Sequence, residues 1–227
     1  MIRAVVFDAY GTLFDVAGAA RAAASLPGGA ALAGVWPRLA EDWRRKQLEY
    51  TWMRAIGGPH ADFAEVTGAA LDWALEAGGV QDDRLRAQLM ALYDVLPAYP
   101  EVSGVLAALR AQGFVTAILS NGSPRMLAAA TRSAGIDGAF DAVISVEEVG
   151  VFKPHPSVYA LVGTRLGVAR AETLFVSSNG WDVAGAAHYG FVTVWANRAG
   201  LPVDRLPGRP AHTLRDLAPL PDLARTL

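Results

Sequence analysis

Four short apolar runs alternate with helical segments in the second half of the chain: "FVTAILS" at 114–120, "DAVIS" at 141–145, "TLFVSS" at 173–178 and "FVTVWA" at 191–196. No other feature constrains the fold as much. Each run is dominated by apolar and β-branched residues and is too short for a helix, which marks a strand buried on both faces. The segments between them carry helix punctuation. Gly113 closes "VLAALRAQG", and Ser123-Pro124 reads as an N-cap and first-turn pair opening a helix that runs to Gly135. "PSVYALVGTRLG" is the next helix, and another covers about 181–189. Strict alternation implies right-handed crossovers and a parallel sheet. The expected fold class is α/β, with a doubly wound, Rossmann-like core.

One more buried strand, residues 2–7, stands apart at the N-terminus. A long stretch of helical periodicity separates it from the others. Helices are expected at roughly 35–56, with apolar Trp36, Leu39, Trp43, Leu48 and Trp52, and at 61–78 and 82–95. "GGPH" at 57–60 and "GG" at 78–79 break them, and Pro97 and Pro100 close the block. It reads as an insertion into the sheet domain. The expected division is an α/β core of residues 1–15 and 99–227 and an all-helical cap of 16–98. Gly and Pro at 200–210 mark a loop before a short last helix.

Composition narrows the function classes. With 52% hydrophobic and 19% charged residues, the 227-residue chain can bury a substantial core. A net charge of −2 with mixed signs offers no basic face to a nucleic acid. No apolar run reaches the roughly 18 residues of a membrane span, and the N-terminal apolar stretch is interrupted too early for a signal peptide. Zero Cys excludes disulfides and thiolate metal sites. A soluble, cytoplasmic protein with no nucleic-acid or membrane partner is expected. The cations are almost all Arg; Lys46 and Lys153 are the only lysines, so either one marks a place where a compact ammonium is needed or is simply a lysine that survived the bias.

In an open parallel sheet, ligands lie beyond the carboxyl ends of the strands. Asp8 follows the first strand, Ser120 and Asn121 end the second, "SSNGWD" at 177–182 follows a third, and Lys153 in "GVFKPHP" comes a short loop after 141–145. Singly these are a turn cap, loop residues and a surface charge. Together they put an acid, a hydroxyl, an ammonium and an amide-plus-acid cluster on one rim. The four histidines lack HxH, HxxH or HxxxH spacing and are read as non-catalytic.

This set resembles the haloacid dehalogenase superfamily: the strand-terminal Asp of "FDAYGTLFD", the Ser of "LSN", the Lys of "FKP" and an acidic cluster after a later strand. The match spans the whole chain, with the helical insertion where that superfamily carries its cap. Most members are Mg²⁺-dependent phosphatases, which have a second Asp two residues after the nucleophile to protonate the leaving alcohol. Here Tyr10 stands in its place, and Ser177-Ser178 stands where a Gly-Asp pair usually helps hold the metal. Mg²⁺ demands carboxylate oxygens in near-octahedral geometry, and phosphoryl transfer without metal or acid loses most of its charge stabilisation.

A halide leaves without a proton. The pattern, including "WRRKQLEYTW", "ILSNGSP", "FKPHP" and "FVSSNGWD", is similar to the type II (S)-2-haloacid dehalogenases. The resemblance implies that the Asp8 carboxylate displaces halide from C2 of a 2-haloalkanoate, and that water then hydrolyses the ester. It implies no metal or cofactor, and a homodimer. Thr12 would brace Asp8, and Lys153 would keep it ionised. Ser120, Asn121 and the backbone amides of Ala9 and Tyr10 would take the substrate carboxylate. Arg44 and Asn179 would hold the departing halide. Ser177, Ser178 and Asp182 would orient Lys153 and the hydrolytic water, with Tyr159 supporting them from behind. Leu48, Phe63, Trp181 and Tyr10 would wall in the alkyl group. Arg44 and Leu48, spaced i,i+4, share a helix face. Arg45 points about 100° away and adds a cation able to alter substrate preference. A phosphatase with an unusual acid, or a binding module that has lost its activity, are the competing readings. Intact Asp8, Ser120, Lys153 and Asp182 argue against the second.

Overall fold

A computed structural model describes residues 1–16 and 36–227. Strand β1 (Ala4–Phe7) is wholly buried. Covering Val5, Val6 and Phe7 contributes on the order of 1.5–3 kcal/mol each, which is why this run sits mid-sheet. Strands β2 (Val115–Ser120), β3 (Ala142–Ser145), β4 (Thr173–Ser177), β5 (Val192–Ala196) and β6 (His212–Leu214) complete a six-stranded sheet in the order β3-β2-β1-β4-β5-β6. Every pairing is parallel. From β1 the chain builds outward through β2 and β3 on one side, then crosses to β4, β5 and β6 on the other. That reversal makes the carboxyl end of β1 the switch point where a crevice opens.

Five strands lie where the apolar runs place them. The sixth lies in the tail, past the stretch read as a loop before a short helix. It has three residues on the sheet edge and no periodicity to reveal it. The helices of the sheet domain are α4 (Val102–Ala111), α5 (Pro124–Ser133), α6 (Pro156–Leu166), α7 (Gly180–Tyr189) and α8 (Leu220–Thr226). Pro124 and Pro156 open α5 and α6 at positions whose N–H needs no helical partner.

The block between β1 and α4 holds α1 (Trp36–Gly57), α2 (Phe63–Ala77) and α3 (Asp83–Ala91). Residues 17–35, where the expected cap begins, and the first residue of the helix expected from 35 lie outside the described residues. Asp62 and Asp82 cap α2 and α3, accepting from Glu65 N (3.0 Å) and Leu85 N (2.9 Å). The helix expected over 82–95 ends earlier, in a 3₁₀ turn at Leu92–Asp94. The two chain segments joining block and sheet run side by side: Asp15 N donates to Pro97 O (2.8 Å) and Tyr99 N to Leu13 O (2.9 Å). α1 thereby lies over the carboxyl rim, with Arg44 reaching Asn179.

Candidate active site

The register sets the site. Phe7 pairs with Ile118 on one side and Val176 on the other. Asp8 therefore leaves the sheet between the ends of β2 and β4, where Ser120 and Ser177 stand. The chain then turns back sharply, with Ala9 O accepting from Leu13 N (2.9 Å) and Phe14 N (3.1 Å). Gly11 makes this possible at φ 83°, and a Cβ there would lie 3.0 Å from Ser178 Oγ. The turn brings Thr12 to face Asp8.

The two oxygens of Asp8 are held unequally. Oδ2 accepts from Thr12 Oγ1 (3.0 Å), Asn179 Nδ2 (2.9 Å) and Ser177 Oγ (3.4 Å). Among the described residues, Oδ1 accepts only from Lys153 Nζ (3.2 Å). Lys153 is 1% exposed, and its ammonium also donates to Asp182 Oδ2 (2.9 Å) and sits over the Phe175 ring. Its backbone is pinned as well, through Lys153 N to Asn121 Oδ1 (3.0 Å). Behind Asp182, Tyr159 Oη donates to Oδ1 (2.8 Å).

Burial pushes the Lys153 ammonium down, but Asp182 and then Asp8 outweigh it, and its pKa lies above that of an ordinary lysine. Burial raises the Asp182 carboxyl, against the pull of Lys153 and with a further push from Asp8. A buried chain of acid, ammonium and acid is costly to assemble, so its presence at a strand end points to chemistry rather than stability.

Two assignments change in detail. Ser177 and Ser178 make no hydrogen bond to Lys153 among the described residues. Ser177 is bonded to Asp8 and to Asn179 N (3.1 Å), while Ser178 N donates to Thr12 Oγ1 (2.8 Å). The reason is geometric: β4 ends directly beside β1, whereas Lys153 arrives from the β3 side. Asn179 bridges Asp8 and Arg44: Nδ2 donates to Asp8 Oδ2 (2.9 Å) and Oδ1 accepts from Arg44 Nη2 (3.1 Å). That places it beside the guanidinium assigned to the halide and leaves a second N–H on its amide.

On the β2 side, Ser120 and Asn121 are buried, and Ser120 Oγ accepts from Gly122 N (3.1 Å). The N–H groups of Ala9 and Tyr10 donate to no group among the described residues. Tyr10 stacks on Phe63 (5.6 Å between centroids), which opens α2. Gly122 lets it approach, since a Cβ there would lie 2.8 Å from Tyr10 Oη. That hydroxyl is buried without a hydrogen-bond partner among the described residues, and burial pushes its pKa far up, so it stays neutral. Trp181, in the first turn of α7, packs edge-on against Trp52 of α1 (5.6 Å). Leu48 is half-buried on α1, one turn beyond Arg44.

A family model described as haloacid dehalogenase-like hydrolase matches residues 2–190. The (S)-2-haloacid dehalogenase 1 of Pseudomonas sp. (strain CBS-3) is 45% identical over 98% of this chain and 96% of its own. The chain belongs to the (S)-2-haloacid dehalogenases. The Xanthobacter autotrophicus (S)-2-haloacid dehalogenase is 50% identical over 84% of this chain and 73% of its own. A solved L-2-haloacid dehalogenase from the same organism, with chloropropionic acid covalently bound, superposes with a TM-score of 0.89 at 40% identity, each chain wholly covered.

Sequence reasoning missed several residues around this dehalogenase site. Phe175 lies under the Lys153 ammonium, and Trp52 meets Trp181. Gln47 accepts from Arg44 Nη1 (2.8 Å) and is fully buried. Its signal was present: an uncharged polar residue three positions after Arg44 faces inward with it.

Proposed function

We propose that the protein hydrolyses (S)-2-haloalkanoates to (R)-2-hydroxyalkanoates through an ester on Asp8, without metal. The observation that carries this is the asymmetry of Asp8. Oδ1, with one donor, keeps a lone pair for attack, while Oδ2 has three donors. In the first step Oδ1 bonds to C2, the carbon–halogen bond breaks, and its electron pair leaves with the halide. Lys153 compensates the Asp8 charge, and Arg44 faces the halide. In the second step water adds to the ester carbonyl carbon and the acyl C–O bond breaks. Charge then collects on Oδ2, where Thr12, Asn179 and Ser177 already point. Asp182, whose burial raises its proton affinity, takes a proton from water and returns it to the departing C2 oxygen, so that the product leaves as a hydroxy acid and Asp8 is a carboxylate again.

The substrate carboxylate has donors in the Ala9 and Tyr10 amides, the Ser120 hydroxyl and the Asn121 amide. Tyr10, Phe63, Leu48 and Trp181 form the wall around the alkyl group. Magnesium fits these residues poorly. The facing oxygens of Asp8 and Asp182 are bridged by an ammonium, and the other Asp182 oxygen is held by Tyr159. We also assign residues 16–98 the role of a cap over the core of 1–15 and 99–227. No described helix is long and apolar enough to cross a membrane; a cytoplasmic homodimer completes the proposal.

Attack opposite the halide inverts C2, and acyl cleavage leaves it untouched, so one inversion is the net result. In EDTA-containing buffer, (S)-2-chloropropionate should give chloride and (R)-lactate, with the (R) substrate left unconsumed. Chiral chromatography of the product decides it. Equal use of both enantiomers would refute the geometry. Halide release that requires Mg²⁺, or Mg²⁺-dependent hydrolysis of p-nitrophenyl phosphate in its place, would return the phosphatase reading.

A further inference from the structure

We infer that Gln47 is a positioning residue for this dehalogenation: it holds the Arg44 guanidinium at the halide end of the site. The inference rests on the proposed function and extends it to a residue without contact to substrate.

Gln47 is fully buried on α1, Thr67 and Tyr93 beside its amide nitrogen are buried too, and Arg44 at its oxygen is half-buried. Nε2 donates to Thr67 Oγ1 (2.8 Å) and to Tyr93 Oη (3.1 Å), while Oε1 accepts from Arg44 Nη1 (2.8 Å). The orientation of the amide is forced. Thr67 has one hydroxyl proton, and it goes to Phe63 O (2.6 Å), so Oγ1 can only accept. The nitrogen end of Gln47 must therefore face Thr67, and the oxygen end must face Arg44. Thr67 is fixed in turn, since Trp43 Nε1 donates to its carbonyl (2.9 Å). Burial keeps Tyr93 a neutral acceptor, against the opposing pull of Arg44.

The consequence reaches the nucleophile. Arg44 is gripped at both ends, Nη1 by Gln47 and Nη2 by Asn179, and Asn179 in turn bonds Asp8. A long, rotamer-rich side chain loses much freedom when held. Here that cost is met by the fold of α1 on α2, before any substrate arrives. Preorganised charge of this kind acts on the developing halide without reorganising during the reaction. An apolar residue at position 47 would leave Nη1 without its acceptor and let the guanidinium swing.

The test is Gln47→Met, which keeps the length and removes the amide. kcat/KM reports on steps through carbon–halogen cleavage, and chloride, the poorer leaving group, draws more on the cation than bromide. For (S)-2-chloropropionate, kcat/KM should fall about 10-fold, the low end for removing a supporting hydrogen-bond partner. For (S)-2-bromopropionate the fall should be smaller, so the bromide-to-chloride ratio rises severalfold. Thr67→Val keeps Gln47 but removes the acceptor that orients it, and should move the ratio the same way; it serves if Gln47→Met does not fold. Equal losses on both substrates, or none, would overturn the inference while leaving the dehalogenase reading intact. A wild-type enzyme that releases no halide would overturn that reading itself, and this inference with it.

Discussion

The sheet rim and helix α1 treat charge in opposite ways. At the rim, Asp8, Lys153 and Asp182 are 6%, 1% and 0% exposed and bonded in a chain. On α1 the charges pair along the helix instead: Arg45, half exposed, with Asp42 and Glu49, and Lys46 with Glu49 while its ammonium lies over the Trp73 ring. Arg44 alone of these reaches the sheet rim, held by Gln47 and Asn179. Exposed pairs of the α1 kind are worth about 0–1 kcal/mol, whereas losing one partner of a buried pair costs about 3–5 kcal/mol. The two lysines of the chain fall one in each region, so residue type alone says little. Burial and the strand end decide which charge does chemistry.

If the rim carries the reaction, the largest effect belongs to Asp8. Asp8→Asn keeps the shape but removes the nucleophile, and turnover should be abolished. In a single turnover of wild type with excess enzyme in ¹⁸O-water, the label should appear in Asp8 and not in the product hydroxyl. Label entering the product directly would mean that water, not Asp8, attacks C2.

Next comes Lys153, where a compact ammonium fits between two carboxylates over the Phe175 ring. A planar guanidinium does not fit that space. Lys153→Arg should lose at least ~100-fold in kcat, the scale for removing one preorganised electrostatic group. The pH dependence sharpens the same point. The Lys153 pKa is raised in the folded state. Its contribution to stability is therefore full below the unfolded value of about 10.4, and is lost only as pH climbs through the higher folded value. Denaturant midpoints should show this step above about pH 10.4 in wild type and not in Lys153→Arg. A step at lower pH would contradict the geometry.

Much of this contrast was legible in the sequence, for physical reasons. A buried parallel strand is a run of apolar residues, so its end is visible, and Asp8, Ser120 and Ser177 stand at such ends. Pairing between strands is not written locally. The sequence therefore does not tell that Ser177 would meet Asp8 and Ser178 would meet Thr12, rather than Lys153. The edge strand at His212–Leu214 is too short to show periodicity, and lies beyond a stretch rich in Gly and Pro. Arg44 came from resemblance. Gln47 shares a helix face with Arg44, but that spacing gains its meaning only through Thr67, which sits on another helix.

Tyr159 tests how far behind the rim the effect extends. Tyr159→Phe removes the hydrogen bond to Asp182 Oδ1 but not the ring packing against Phe175. A buried carboxylate oxygen loses its donor, which should destabilise the fold by about 1–3 kcal/mol. kcat should drop about 10-fold, as for other supporting partners. Stability from urea unfolding and kcat should fall together. A loss of stability with unchanged kcat would separate Asp182 from the chemistry.

Arg45 should give the smallest effect, and it tests the other half of the comparison. It neighbours Arg44 in sequence, and by charge alone it is an equal candidate for the halide. The helix turns it outward instead. Its side chain is 50% exposed, pairs with Asp42 (2.8 Å) and Glu49 (3.5 Å), and lies over the Trp73 ring (5.2 Å). Those acids absorb its charge, and water screens what remains over about a Debye length of 8–10 Å. Arg45→Gln should therefore change kcat/KM by less than about 2-fold on chloro and bromo substrates alike, and stability by no more than about 0.5 kcal/mol, the usual range for surface positions. Arg44→Gln, measured beside it, should lose far more on chloride than on bromide. If Arg45→Gln instead shifted the halide preference, charge on the outer face of α1 would be reaching the site, and the division between a chemical rim and a solvated helix would fail.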